Sequence, residues 1–314
     1  MFKFIRNIII ALLCVCTLLT TFFFVGQAIP YQSDQSFFAV FRDKYQRNID
    51  RTKPGIIFVG GSNLAFGLDT KKVSEAFDKP ALNFGFHAGL KRDFYFNALK
   101  KSILKGDVIV LVFEYSAYIE DPMSEDITWQ TVDNSPELIK CIPSSNYFNL
   151  YRYYPIYLLK KLSDVVLHPH KVPSDVAYAY DSFNEYGDNV LERHKNLRTP
   201  EEIGKDAYIR INKDIISDES VASLSEFREY CESIGAKVYA SCPSVDKFAV
   251  KEIENNGKDF KSVYEEKTGI KMISEPRNYI LDTDLFFDTD YHLNLDGVEI
   301  RTQMLINDLK KVLK

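Results

Sequence analysis

Two short motifs at opposite ends of the chain carry residue types that together can transfer an acyl group. Gly60-Gly61-Ser62-Asn63 directly follows an apolar run at 56–59, and the segment 288–294 holds His292 with aspartates on its N-terminal side. A serine hydroxyl becomes a nucleophile when an imidazole removes its proton and a carboxylate orients that imidazole. The sequence therefore predicts Ser62 as nucleophile, His292 as base, and either Asp288 or Asp290 as the orienting acid.

An α/β pattern surrounds both motifs. Continuous apolar runs predict buried parallel strands, and the amphipathic segments between them predict helical crossovers. Strands are expected at residues 56–59, 81–85, 108–113 and 237–241, and helices at 250–268 and, behind the N-cap Asn294, at 294–313. Because α/β sheets place their chemistry at the carboxyl ends of strands, Ser62 and the loops after the second and third strands should share one edge.

Those loops supply candidates for binding an oxyanion or a substrate. Backbone N–H groups of glycine-containing turns can approach a developing negative charge closely. The candidates are Gly61, Asn63, His87, Ala88, Gly89, Tyr115 and Ser116. Glu114, directly after the third strand, either reaches the same crevice or satisfies loop amides as a structural carboxylate. The other histidines, His168, His170 and His194, are weaker candidates.

Three regions organise the chain. Residues 1–29 form an N-terminal anchor, 30–53 a membrane-proximal tether with some helix, and 54–314 the α/β domain. Between about 120 and 218 the α/β pattern breaks into apolar patches and proline-containing polar stretches, which predicts a largely helical insertion over the sheet.

The N-terminal apolar run is long enough to cross a membrane as a helix. No charged residue lies between Arg6 and Asp34, and a hydrocarbon core of roughly 30 Å needs about 20 apolar residues. Lys3 and Arg6 precede the run, so we expect the N-terminus to stay cytoplasmic and the domain to face the extracytoplasmic side. A cleaved signal peptide is the alternative, but its apolar region would be longer than the usual ~7–15 residues.

Composition and spacing exclude several classes of function. The formal net charge of −5 gives no basic surface for nucleic acid. No spacing of cysteine and histidine resembles a metal site, and neither a metal nor an organic cofactor is expected. The Gly60-Gly61 turn lacks the third glycine of a dinucleotide-binding loop.

The order of these motifs resembles the SGNH (GDSL-like) hydrolase superfamily, over roughly residues 55–118 and 236–314. The resemblance implies a three-layer α/β/α, flavodoxin-like domain with a parallel sheet. It implies that Ser62 is the nucleophile and His292 the base, and that Gly89 or the neighbouring Ala88 amide donates to the oxyanion.

The chain departs from the superfamily pattern in three places. Gly61 replaces the aspartate before the serine, and the third-block asparagine is absent, with Tyr115 or Ser116 nearest its place. Thr289 stands where the aspartate three residues before the histidine is usual, so the acid is Asp288 or Asp290; we favour Asp288.

With the anchor, these departures resemble the membrane-anchored members that act in alginate O-acetylation and in D-alanine transfer to teichoic acid. The resemblance implies an acyltransferase or esterase acting on acyl groups, above all O-acetyl, of a cell-surface polysaccharide, beside a multispanning membrane O-acyltransferase. The alternative is a non-catalytic accessory protein with a degenerate SGNH fold that binds such a partner or a glycan.

Overall fold

Helices and strands alternate along most of the chain in the computed structural model, which describes residues 2–28, 36–119, 122–167, 176–205 and 207–313. His168 and His170 lie outside the described residues. The helices are α1 (Phe2–Ala28), α2 (Phe37–Ile49), α3 (Ser62–Ala65), α4 (Thr70–Phe77), α5 (Lys91–Leu99), α6 (Glu125–Asn134), α7 (Tyr147–Leu167), α8 (Pro200–Lys205), α9 (Asp218–Ile234), α10 (Lys258–Thr268) and α11 (Leu295–Lys310). The strands are β1 (Ile56–Gly60), β2 (Ala81–Asn83), β3 (Val108–Val112), β4 (Ile209–Ile211), β5 (Lys237–Ala240), β6 (Val245–Asp246), β7 (Val250–Ile253), β8 (Lys271–Met272) and β9 (Ile280–Leu281).

The central sheet has five strands in the order β2-β1-β3-β5-β8, and every pairing within it is parallel. The prediction of an α/β fold with a parallel sheet is confirmed. Side chains alternate along β1, so that Ile57 and Val59 enter one hydrophobic core and Ile56 and Phe58 enter another. Both faces of the sheet are therefore covered, which explains why the strand is apolar throughout.

Helices supply the other half of each core. Val73 of α4 and Leu305 of α11 pack on one face of the sheet. Phe41 of α2, Phe94 of α5 and Phe227 of α9 pack on the other. Because the strands are parallel, the loops after β1, β2 and β3 all emerge at the same edge.

The sequence predicts a membrane-proximal tether over 30–53, but α2 within this segment is part of the packed domain. Phe41 and Lys44 of this helix are fully buried, and Phe41 packs against Phe84 with ring centroids 5.0 Å apart. An exposed linker would not bury these side chains, so we assign α2 to the globular domain.

The α-helix predicted for 250–268 is wrong for residues 250–257. Val250–Ile253 is a strand that pairs in parallel with β4, and the helix begins only at Lys258. Asn255 and Asn256 between them adopt left-handed backbone conformations, with φ of 44° and 56°, which a continuous α-helix excludes. The described part of the predicted insertion is mostly helical, and it also contributes β4.

One helix is long and apolar enough to span a membrane. The span runs over Phe2–Gly26, with a mean hydropathy of 2.8, and none of its most apolar 18-residue window is buried against the rest of the chain. A helix that is apolar on all sides and is not packed into a protein core is stable in an apolar environment such as a membrane.

Candidate active site

Ser62 lies on a tight turn between β1 and the short helix α3. A Cβ atom at Gly60 would be 2.2 Å from the Val112 carbonyl oxygen, and one at Gly61 would be 2.6 Å from Glu114 Oε1. Both separations are far below van der Waals contact, so only glycine lets β1 approach β3 this closely and turn. Ser62 itself is half-buried at the carboxyl edge of the sheet.

His292 brings its imidazole to Ser62 across 230 residues of chain. His292 Nε2 is 2.8 Å from Ser62 Oγ, and Nδ1 is 2.8 Å from Asp288 Oδ1. The Thr289 hydroxyl accepts a hydrogen bond from the His292 N–H at 3.0 Å, which closes one turn and brings residues four apart together. Asn294 then caps α11 by accepting from the Gly297 N–H at 3.0 Å, as predicted.

Asp288, and not Asp290, contacts the imidazole. Asp290 Oδ1 instead lies 2.5 Å from Arg198 Nη1, and its carbonyl oxygen accepts from the Asp246 N–H. Of the two aspartates left open by the sequence, Asp288 is the one placed to orient the imidazole.

Tyr178, from the insertion, holds the second oxygen of Asp288. Its hydroxyl donates to Asp288 Oδ2 at 2.7 Å and lies 3.2 Å from His292 Nδ1. Burial raises the pKa of Asp288, but hydrogen bonds from His292 and Tyr178 and the charge of the imidazole outweigh it, so the pKa falls below its ordinary value. The acid is thus held in its ionised form, which stabilises an imidazolium.

Phe66 and Arg193 fix the two halves of the site relative to each other. The Phe66 ring stacks on the His292 imidazole with centroids 4.3 Å apart and planes 14° from parallel. Arg193 donates to the Phe66 carbonyl at 3.0 Å and to the Leu293 carbonyl at 2.8 Å. One buried guanidinium therefore ties the serine segment to the histidine segment.

The loop after β2 lies beside the serine turn. The Cα atom of Ala88 is 3.3 Å from the place a Cβ on Gly61 would take. The Gly89 N–H donates to His87 Nδ1 at 3.0 Å. Burial, with a smaller effect of the charge of His292, lowers the pKa of His87 to about 4, so His87 is neutral at neutral pH and adds no charge to the site.

Both polar atoms of the Asn63 side chain are hydrogen-bonded within the chain. Its Nδ2 donates to the Val112 carbonyl at 3.0 Å, and its Oδ1 accepts from Arg301 at 3.0 Å. Its backbone N–H donates to Glu114 Oε1 at 3.3 Å. The predicted role of Asn63 in substrate binding therefore has no support from its contacts, whereas the structural role considered for Glu114 does.

Tyr115 and Ser116 are not brought into the polar cluster around Ser62. The Tyr115 ring is buried and packs edge-on against Phe260, with centroids 5.4 Å apart. Ser116 is half-buried, and its carbonyl accepts from the Ile119 N–H. Glu114, one residue earlier, is the side chain of this segment that reaches the serine turn.

Glu114 is a buried carboxyl group beside the turn that carries Ser62. Burial raises its pKa, and the charge of His292, the two Asn63 donors and the charge of Lys91 oppose this without reversing it. Tyr95 and Arg301 also lie within electrostatic reach of this carboxyl group.

We expect Glu114→Gln to remove a pH-dependent destabilisation. Because the folded-state pKa is raised, wild-type stability is greatest below the unfolded value and falls as pH rises through the folded one. The difference in free energy of unfolding between the glutamine protein and wild type should therefore increase as the pH rises. Its total increase is about 1.4 kcal/mol for each unit by which folding raises the pKa of Glu114. Urea unfolding of both proteins between pH 4 and 8 measures this, and a constant difference would contradict it.

Comparison with family models and with curated proteins gives no match for this chain. Within the described ranges, no group of three or more His, Cys, Asp or Glu side chains is assembled that could hold a metal ion. The sequence reasoning missed Tyr178 and Arg193, because both lie in the insertion and nothing in their local sequence marks them as neighbours of His292.

Proposed function

We propose that the chain is a membrane-anchored, extracytoplasmic serine acyltransferase or esterase of SGNH type, acting on acyl groups, above all O-acetyl, of a cell-surface polysaccharide. The observation that carries the proposal is the continuous hydrogen-bonded series Ser62–His292–Asp288, with 2.8 Å at both links. In such a series the imidazole takes the hydroxyl proton and the carboxylate orients the imidazole, which makes the serine nucleophilic at neutral pH.

The chemistry follows in two balanced steps. Ser62 Oγ attacks the acyl carbonyl carbon while His292 Nε2 takes the hydroxyl proton, and the imidazolium then protonates the departing oxygen, leaving acyl-Ser62. In the second step, a sugar hydroxyl or water loses its proton to His292 and attacks the acyl carbon, and Ser62 leaves with that proton. Asp288 stabilises the imidazolium in both steps. No cofactor is needed for either step.

The sheet supports assignment to the SGNH type. Its strand order, counted along the chain within the central sheet, is 2-1-3-4-5, which is the flavodoxin-like order. Ser62, the loop containing Ala88 and Gly89, and Glu114 follow its first three strands, at the positions where the superfamily carries its motifs.

The anchor supports the location and the substrate class. Within α1, Lys3 and Arg6 lie at the N-terminal end and the rest of the helix is uncharged, which favours a cytoplasmic N-terminus and a catalytic domain outside the membrane. A domain held there meets envelope glycans, and a multispanning O-acyltransferase is the partner we propose for supplying acyl groups across the membrane.

A second candidate is a non-catalytic accessory protein of the same fold, and one observation favours it. Two amides beside the serine are already bonded within the chain, Asn63 N–H to Glu114 and Gly89 N–H to His87. An oxyanion would have to displace these contacts or use other donors, and the third-block asparagine is absent.

Covalent labelling with a fluorophosphonate probe tests the proposal and separates the two candidates. We expect wild type to be labelled at Ser62, because a serine whose proton is removed by a base displaces fluoride from the probe and becomes phosphonylated. Ser62→Ala and His292→Ala should not be labelled, and Ser116→Ala, which changes a serine outside the cluster, should react like wild type. An unlabelled wild type with an intact fold would favour the accessory protein.

A further inference from the structure

Helix α7 exposes a row of large apolar side chains to solvent. Phe148, Leu159 and Val166 are 75 %, 65 % and 73 % exposed, and Tyr151 is exposed beside them. Their positions recur at three, eight and seven residues, which is close to whole turns of an α-helix and keeps them on one side. At about 1.5 Å per residue, the 21 residues of α7 extend roughly 30 Å. An exposed apolar row of this length indicates a surface that is covered by something.

The same helix receives the end of the proposed membrane span. The Tyr154 hydroxyl donates to the Phe23 carbonyl of α1 at 3.2 Å, and Lys161 Nζ donates to the Gly26 carbonyl at 2.8 Å. Gly26 is where the apolar span ends, and Leu18, about two turns earlier, is exposed. Helix α7 therefore crosses the last turn of α1 and does not run alongside it.

The joint between α1 and α7 is firmly built. Lys161 is buried and pairs with Asp133 of α6 at 2.7 Å, and its cation lies at the C-terminal end of α1, where the helix dipole favours positive charge. Phe23 packs on Tyr154 and on Trp129, with ring centroids 5.4 Å and 6.4 Å apart. The depth of α7 relative to the membrane is therefore set by where α1 leaves it.

We propose that α7 lies in the membrane–water interface, with Phe148, Tyr151, Leu159 and Val166 inserted among the headgroups and upper acyl chains. This rests on the proposed membrane span of α1. A helix with an exposed apolar row, which here also exposes the cations Arg152 and Lys160, is the type that binds lipid surfaces in this orientation. The lipid bilayer is the occupant because α7 is joined to α1 at the place where the apolar span ends, which holds the row close to the membrane surface.

Interfacial docking would also orient the candidate active site. Lys160 of α7 donates to Asp126 of α6 at 3.1 Å, and the Ser124 N–H, which precedes α6, donates to the Gly89 carbonyl at 2.9 Å. The membrane-facing helix is thus connected through α6 to the loop beside Ser62, so that the cleft has one fixed orientation towards substrates near the membrane.

Depth-dependent fluorescence quenching tests the inference on the full chain in phospholipid vesicles. A fluorophore is attached at Leu159→Cys, with Val166→Cys as a second probe in the row and Lys71→Cys, exposed on α4 at the other face of the sheet, as the control. Cys14 and Cys16, which are exposed on α1, are replaced by alanine. We expect brominated lipids to quench the two row probes severalfold more than the control, most strongly with bromine about 5–10 Å below the headgroups.

The outcomes separate the interface from the span. Vesicle flotation of the chain together with equally weak quenching at all three positions would leave the anchor intact and overturn the interfacial helix. An apolar emission at 159 without quenching would overturn it too, because a second copy of the chain would then cover the row. A chain that does not float with vesicles would remove both the span and the interface. Emission of Trp129, the single tryptophan, reports whether the joint stays folded.

Discussion

Asp288→Asn is expected to retain about one ten-thousandth of the wild-type turnover. The amide lacks the charge that stabilises the imidazolium formed when Ser62 loses its proton, and its NH₂ group competes for the tautomer in which His292 Nε2 is free to accept. Because Asp288 Oδ1 is 2.8 Å from His292 Nδ1, the substitution acts directly on the base. The second-order rate of fluorophosphonate labelling, or of acyl release from a small acyl ester, measures the effect.

Asp290→Asn is the matched control, since it makes the same chemical change two residues away. Asp290 is buried and pairs with the partly exposed Arg198, so its substitution can lower stability but does not act on the His292 imidazole. We therefore expect its labelling rate to stay within about tenfold of wild type. Equal losses in the two variants, or a larger loss at Asp290, would refute the assignment of the acid.

Local sequence signals were sufficient to predict the strand, turn and helix that position Ser62 and His292. The run 56–59 predicted a buried strand because a short, continuous run of apolar and β-branched residues favours that structure. Gly60-Gly61 predicted a tight turn at the end of the strand. Asn294 predicted the start of the last helix by its capping chemistry. Each of these signals depends on neighbours within a few residues.

The remaining features depend on contacts between distant parts of the chain. Val250–Ile253 resembles the helix that follows it in composition, and it is a strand because β4, some 40 residues earlier, pairs with it. Tyr178 acts on Asp288 across 110 residues. No periodicity or motif identifies such partners, because the insertion that supplies them has no α/β pattern of its own.

Asp188→Asn is expected to lower the free energy of unfolding by about 3–5 kcal/mol, the usual cost of breaking a buried charged network. Asp188 accepts hydrogen bonds from the Thr70 N–H, the Thr70 hydroxyl and Asn83 Nδ2 at 2.7, 2.6 and 2.7 Å. Burial raises its pKa, and these bonds with the charge of the buried Lys44 oppose that. The NH₂ group of an asparagine would face the hydrogen-bond donors of Thr70 and Asn83 that now bind the carboxylate. The buried Lys44 would also lose the negative charge that balances its own.

This network also supports the turn that carries Ser62. The rate of fluorophosphonate labelling should therefore fall together with the free energy of unfolding. Asn83 Nδ2 donates to the Leu64 carbonyl in α3 at 2.8 Å, two residues after Ser62, and Asp188 fixes that amide from the insertion. Loss of the carboxylate should therefore slow fluorophosphonate labelling even below the unfolding transition.

Urea unfolding in detergent measures the loss of stability, which should appear as a lower midpoint with an unchanged slope. The exposed Asp181→Asn, in the same insertion, should stay within about 0.5 kcal/mol of wild type. If Asp188→Asn matched it, Asp188 would not be the link between the insertion and the nucleophile turn.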